Sequence, residues 1–268
     1  MKQLITGSSA FALLVSAVFL VNSNAIAVDV QLTDYRAYID VNHGGDQVRV
    51  QRIQDEEHML DDGFAKTSRK CPPFCIQPMK VAAGVTTVGE AEIFRFMERE
   101  LASGTGLIVD ARTPSWYEKG TIPGSINIPF TEFVAGEDSP QTRMTLQTLG
   151  AVRREEPGWL TRSFEKLMGR LGLFGADQKT DKWDFSNAKK VIFWCNGPWC
   201  GQSPRAIKGL LEYGFPPGKI AYYRGGMQMW KVLGPVSYTH LRAHETLTPI
   251  SYAVFCLKTG GGGGGGGG

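Results

Sequence analysis

The sequence predicts an α/β fold, a parallel sheet flanked by helices, with a small N-terminal extension made of a β-hairpin and a cysteine loop. Three observations carry that prediction. Two short runs, Leu107-Ile108-Val109-Asp110 and Val191-Ile192-Phe193-Trp194, have the length and apolar density of strands buried on both faces. Segments with apolar residues at helical spacing stand before and after them, and strands alternating with helices fold as a parallel sheet. The composition, 42% hydrophobic and 21% charged over 268 residues, leaves room for one sizeable core and a smaller appendage.

In order along the chain, Lys2, the apolar run Phe11 to Val21 and the small-x-small site Ala25-Ile26-Ala27 read as a secretory signal over residues 1–27, leaving Val28 as the mature N-terminus. The run is shorter than the roughly 20 apolar residues that span a bilayer. The mature protein is therefore expected to be periplasmic, free of the membrane, and in a compartment where thiols can oxidise. Residues 28–80 form the extension. Tyr38 to Val41 and Val48 to Val50 alternate with period two around His43-Gly44-Gly45-Asp46, a hairpin in which His43 reads as a turn residue; His58, beside Asp55-Glu56-Glu57, reads as exposed. The loop Cys71-Pro72-Pro73-Phe74-Cys75 follows. Cys71 and Cys75 are candidates for a redox pair or a local disulfide, although consecutive prolines restrict how far the loop folds back.

Residues 81–235 carry the α/β pattern. Ala91, Phe94, Met97 and Leu101 mark a helix, with Thr87 as its N-cap and Glu90 three residues on. The first buried strand ends at Asp110. The long charged connection from Pro129 to Lys189 contains an amphipathic piece, Leu160, Phe164, Leu167, Met168 and Leu171, which reads as a packed surface helix or as a lid. The second buried strand ends directly at Cys195. Ala206, Leu210 and Leu211 then give a helix that stops at Gly214, and Ile220-Ala221-Tyr222-Tyr223 gives another strand.

The formal net charge of +3, with basic residues scattered among acids, is too small for phosphate tracking, so no nucleic-acid partner is expected. The chemistry points to Cys195. A cysteine at the carboxyl end of a buried parallel strand, followed by a short Gly-containing loop and a helix, faces backbone N–H groups and the positive end of the helix dipole. That field lowers a thiol pKa and makes a sulfur nucleophile. Ser203 as N-cap and Pro204 at the first helical position mark where the helix begins. A buried inert thiol and a disulfide partner remain the alternatives.

Two segments resemble the rhodanese-like domain family. Leu107 to Tyr117, with Asp110-Ala111-Arg112, and the following Gly120-Thr121-Ile122-Pro123-Gly124-Ser125 resemble its first signature, with Thr121 where the family usually has His. The strand into Cys195, the loop, the helix, and Tyr223-Arg224-Gly225-Gly226 to Trp230 resemble the second. The resemblance implies a sulfurtransferase that carries sulfane sulfur as a Cys195 persulfide, taking it from a small sulfur-containing anion such as thiosulfate and passing it to a thiol acceptor, without a cofactor or metal. It also implies a supporting pair, Asp110 with Arg112, and substrate contacts from Asn196, Gly197, Trp199, Gly201, Gln202, Ser203 and Arg205. Trp199 and Trp230 suit core packing or pocket walls equally, and Arg205 suits an anion or plain solvent.

The loop is longer than the family's, with Asn196 to Gln202 between Cys195 and Ser203, and it holds a second cysteine, Cys200. Cys200 reads as a catalytic resolving thiol or as half of a bridge to Cys195. A dithiol redox or sulfur-relay protein, meeting a periplasmic redox partner, is the second functional class, and a non-catalytic binding module on the same scaffold is the third. A phosphatase built on a Cys-x5-Arg loop is disfavoured because Gly201 stands at the Arg position. Four cysteines suggest a zinc site as well, but their spacing matches the usual close pairs poorly.

From Val236 the pattern changes. Val236 to Thr246 and Ile250 to Lys258 resemble a translated sequencing-library adapter and its flank, and the chain ends in glycines. Residues 236–268 are therefore expected to be non-native and to make no consistent contacts with the core, which removes His240, His244 and Cys256 as candidates.

Overall fold

The computed structural model describes residues 29–60, 62–136, 138–154 and 182–238. The expected signal segment, the amphipathic piece from Leu160 to Leu171 and the tail beyond Tyr238 lie outside them. In the extension, β1 (Tyr38–His43) pairs antiparallel with β2 (Asp46–Gln51). Gly44 and Gly45 make the turn at φ 63° and 103°, a left-handed conformation that only glycine adopts without strain. His43 is not in the turn. It is the last residue of β1, 4% exposed, and its Nδ1 accepts a hydrogen bond from the Gly124 N–H. Strand alternation decides this: Ile39, Val41 and His43 share one face, and that face is covered.

The α/β part follows in the expected alternation: β3 (Thr86–Val88), α1 (Glu90–Phe96), β4 (Gly106–Asp110), α2 (Pro114–Glu118), β5 (Ser125–Asn127) and α3 (Pro140–Thr148). A small antiparallel pair, β6 (Val152–Arg153) with β7 (Trp183–Asp184), precedes β8 (Lys190–Trp194), α4 (Gln202–Glu212), β9 (Ile220–Tyr223) and α5 (Gly226–Val232). The central sheet has five strands in the order β3-β9-β8-β4-β5, all parallel.

Two expectations shift in the first helix, and a further helix appears that the sequence did not mark. Thr87 lies in β3, and Gly89 is the N-cap of α1, its N–H donating to Glu92 Oε2 at 3.0 Å. In α1 Ile93 and Phe94 face the core and Met97 follows them at helical spacing, while Ala91 is exposed; a π-turn over Met97–Leu101 extends the helix. α3 was not visible in the charged connection; Ser139 caps it by accepting from the Thr142 N–H, Pro140 opens it, and Leu146 and Leu149 sink into the core.

Alternation along the buried strands builds two cores. Val109, Val191, Phe193 and Tyr222 face one side, where Phe133, Leu146, Ala206, Ile207 and Leu210 cover them. Ile108, Ile192, Trp194 and Tyr223 face the other, with Ile93, Phe94, Met97, Met227 and Trp230. The hairpin joins this second core through Ile39, Val41, Val48 and Val50. It is also pinned to the far end of the chain: the Ile53 N–H donates to the Gly234 carbonyl at 2.7 Å, and Arg52 Nε to the Leu233 carbonyl at 2.6 Å.

Val236 to Tyr238 depart from the expectation of no contact. The Val236 N–H donates to the Gln51 carbonyl, Trp230 Nε1 donates to the Val236 carbonyl, and Tyr238 exchanges backbone hydrogen bonds with Thr121 at 2.8 and 3.0 Å. Most of these bonds use the main chain, which any residue supplies, and the Tyr238 ring adds a contact with His43 at 4.3 Å between centroids.

Candidate active site

β8 delivers Cys195 to the carboxyl edge of the sheet, and the chain then turns through Asn196 to Gly201 before α4 begins. The loop is held from behind by α5. The Met227 N–H donates to the Cys195 carbonyl at 2.9 Å and the Gln228 N–H to the Asn196 carbonyl at 3.0 Å. This approach is why the helix opens on a glycine, Gly226. A Cβ on Gly226 would stand 2.1 Å from the Cys195 carbonyl oxygen, and its φ of 56° is left-handed.

Cys195 and Cys200 are both free thiols, 1% and 5% exposed. Burial raises the pKa of Cys195. Hydrogen bonds from the Cys200 thiol, the Ser203 hydroxyl and the Ser203 and Gly197 N–H groups outweigh it and bring the pKa from the 9.0 of an ordinary thiol to about 7. Ser203 Oγ stands 3.0 Å from the sulfur. Cys200 moves the opposite way: its hydrogen bond to Cys195 and its own burial push it far above the ordinary range. One proton is thus kept on Cys200, and Cys195 holds the charge. Ser203 is not the cap of α4, since the cap is Gly201, which has no side chain to bond the helix. The serine hydroxyl is committed to sulfur instead.

Beneath the loop lies a buried charge pair. Arg112 and Asp110, 1% and 0% exposed, are joined by three side-chain hydrogen bonds of 2.6 to 3.1 Å. Thr121 Oγ1 donates to the same carboxylate at 3.1 Å, so it occupies its position with a structural bond. The guanidinium also reaches Asn196 Oδ1 at 3.2 Å and the Gly120 carbonyl at 2.6 Å, and lies over the Trp194 ring at 4.6 Å. Asp110 and Arg112 therefore tie the ends of β4 and β8 to the second residue of the loop.

The extension covers the outer side. Cys71 and Cys75 are bridged, with Cα atoms 4.7 Å apart, so these sulfurs offer no thiolate to a metal ion and the four-cysteine zinc alternative falls. Phe74 meets Trp199 edge-on at 5.6 Å, Arg69 lies over the same indole at 3.8 Å, and the Gln77 N–H donates to the Pro198 carbonyl at 2.7 Å. Arg224 Nε returns a bond to the Gln77 carbonyl. A cavity of about 470 Å³ remains at this seam, lined among others by Ser68, Arg69, Phe74, Pro198 and Trp199, within the usual size of small-ligand sites.

Gly197, Cys200 and Ser203 come together around the Cys195 sulfur, Asn196 bonds through its backbone to Cys200, and Gly201 stands apart as the cap of α4. Gln202 Oε1 lies 3.6 Å from the Cys200 sulfur, beside the thiol whose proton is donated in a hydrogen bond to Cys195. Trp199 is half-buried at the seam and bonded to Gln228, whereas Trp230 is buried in the core with its ring 5.8 Å from Phe94, so it lines no site. Arg205 is exposed and stacks on Phe130 at 4.4 Å. Gln77 and Gln228 carry no sequence signal that would have marked them. Tyr222, in contrast, is a polar residue in a buried strand, which is such a signal.

A model of the rhodanese-like domain matches residues 96–233, over half of the chain. A search of curated proteins finds no match. Among solved structures, the chain is similar to a human single-domain sulfurtransferase at 22% identity, covering 55% of this chain and 96% of that one with a TM-score of 0.30. It is similar to a rhodanese-like domain from Anabaena at 17% identity, covering 63% and 92% with a TM-score of 0.30. An As-Sb reductase from Leishmania major matches at 16% identity, covering 56% and 78% with a TM-score of 0.31. With residues 96–233 matched by the family model, the chain belongs to the rhodanese-like domain family.

Proposed function

We propose that the protein is a periplasmic sulfurtransferase in which Cys195 carries sulfane sulfur as a persulfide. The observation that carries the reading is the Cys195 thiol itself, brought to a pKa of about 7 by donors from Ser203, Gly197 and Cys200. A thiolate at neutral pH attacks the outer sulfur of thiosulfate; the new S–S bond forms as the old one breaks, and sulfite leaves with the electron pair. An acceptor, cyanide or a thiol, then takes the outer sulfur, and the pair returns to Cys195 as thiolate. The Gly197 and Ser203 N–H groups stabilise the thiolate, and the Asp110–Arg112 pair holds Asn196 in register beneath it. The test is thiocyanate release from thiosulfate and cyanide, with intact mass reading one added sulfur on Cys195; loss of both in Cys195→Ser is expected, and undiminished turnover in that variant would remove Cys195 as nucleophile. Export rests on residues 1–27, and N-terminal sequencing of secreted material should begin at Val28.

One observation favours a second reading. Cys195 and Cys200 are free, hydrogen-bonded to each other and split in pKa, as an attacking and a resolving thiol are in dithiol redox proteins. In that case a disulfide substrate is reduced: Cys195 forms the mixed disulfide and releases the first thiol, Cys200 attacks it to release the second, and the Cys195–Cys200 disulfide that results is reopened by a dithiol redox partner. Turnover of a disulfide substrate lost in Cys200→Ser, with cyanide-linked transfer absent from the wild type, would select it.

A further inference from the structure

Tyr222 and Tyr223 end β9 side by side and face opposite cores. Tyr223 Oη donates to Glu90 Oε1 at 2.6 Å. Tyr222 is fully buried, and its hydroxyl has no hydrogen-bond partner among the described residues. Leaving a buried donor unbonded is unfavourable, and phenylalanine would fill the same space without that defect. The sheet register shows what lies beside it. Phe193 pairs with Tyr222 across β8 and β9, and Cys195 follows Phe193 by two residues, so Cys195 leaves the chain on the same face, diagonal to Tyr222. The phenol also responds to the sulfur: burial raises its pKa most, and the charge on Cys195 raises it next.

The thiolate of Cys195 already has its donors in Cys200, Ser203 and Gly197. After sulfur transfer the anion moves outward by one S–S bond, about 2 Å, and that outer sulfur needs a donor of its own. We propose that Tyr222 is a further catalytic residue, its buried and otherwise unbonded hydroxyl donating a hydrogen bond to the outer sulfur of the Cys195 persulfide. The proposal rests on the sulfurtransferase reading. No proton leaves Tyr222: the donated bond forms as thiosulfate releases sulfite and is given up when the acceptor takes the sulfur and Cys195 recovers the electron pair. The persulfide is stabilised relative to the thiolate, which the same hydroxyl does not serve.

Tyr222→Phe tests this because it removes one oxygen and keeps the ring. The full-length wild type and variant are equilibrated with thiosulfate and sulfite at several ratios, and the persulfide fraction is read by intact mass. A hydrogen bond to a charged group predicts that the variant needs a thiosulfate to sulfite ratio about tenfold or more higher for half-loading. The variant should also melt at a higher temperature, since an unbonded hydroxyl has gone, and the pH profile of Cys195 alkylation should stay in place. A lower melting temperature would show that the hydroxyl has a partner in the resting protein and overturn the proposal; so would unchanged half-loading. Failure of the wild type to form any persulfide is a separate result, which removes the sulfurtransferase reading and this role with it.

Discussion

Cys195 and Cys200 share one proton between two neighbouring sulfurs, and the asymmetry sets the pH response. The reactive form is the thiolate and the folded pKa, about 7, lies below that of an ordinary thiol. Alkylation of Cys195 by iodoacetamide should therefore be half-maximal near pH 7, flat above it, and lost as the pH falls through that value; a midpoint near that of a free thiol would show that the donors do not act. Ser203→Ala deletes a hydrogen bond to a charged group, worth about 1.5–3 kcal/mol, or about one to two pKa units. Its alkylation profile should move to higher pH by about that much. Cys200→Ser keeps a donor beside the sulfur, so the midpoint should move less than in Cys200→Ala. Measuring the three profiles together separates the contributions of Ser203 and Cys200.

At the level of elements, the site depends on how closely α5 approaches β8. Gly226→Ala places a methyl against the Cys195 carbonyl in a left-handed backbone, which costs at least about 1–3 kcal/mol from backbone strain alone. Denaturant unfolding should report that loss, and thiol reactivity should change with it because the same carbonyl anchors the loop. Arg112→Met leaves Asp110 charged and unpaired in the core, so a loss of about 3–5 kcal/mol is expected. Much of this architecture was legible in the residues. The apolar runs ending at Asp110 and Trp194 predicted β4 and β8, because strands buried on both faces leave no other pattern. The helix starts were less legible. Ser203 looks like a cap by composition and serves sulfur by position, and Thr87 is taken up by β3. His43 was misread because a hairpin sequence does not say which face meets a larger body. Tyr222 stands out in the sequence as a polar residue in a buried strand, but that its hydroxyl lacks a partner is readable only once its surroundings are known.

For the whole molecule, the extension is part of the core rather than an appendage. Ile39, Val41, Val48 and Val50 cover Ile93, Phe94, Met97 and Trp230, and uncovering a buried apolar side chain costs about 1.5–3 kcal/mol each. Several such losses are comparable with the entire stability of a domain, about 5–15 kcal/mol. A chain lacking residues 28–80 should therefore show no cooperative thermal transition, and a sharp melt near that of the full chain would show that the hairpin contributes little. At the other end, a chain stopped after Tyr238 should melt like the full chain, whereas one stopped after Pro235 should melt lower, having lost the Thr121 pairing and the ring against His43. Equal melting of both would return Val236–Tyr238 to the tail.

The bond from Arg52 to the Leu233 carbonyl joins residues 181 apart in sequence. A ribosome or a translocation channel releases β2 long before it releases the segment to which β2 is tied. The first hairpin to emerge meets Ile93, Phe94 and Met97 early but must wait, its apolar side only partly covered, until Met227, Trp230 and the segment to Leu233 arrive. Closing so long a loop is slow, and an exposed strand pair is open to association with other chains while it waits. The early half of the protein thus has the strongest need for a holding chaperone, and refolding yield should fall with protein concentration more steeply than for a domain whose ends do not meet.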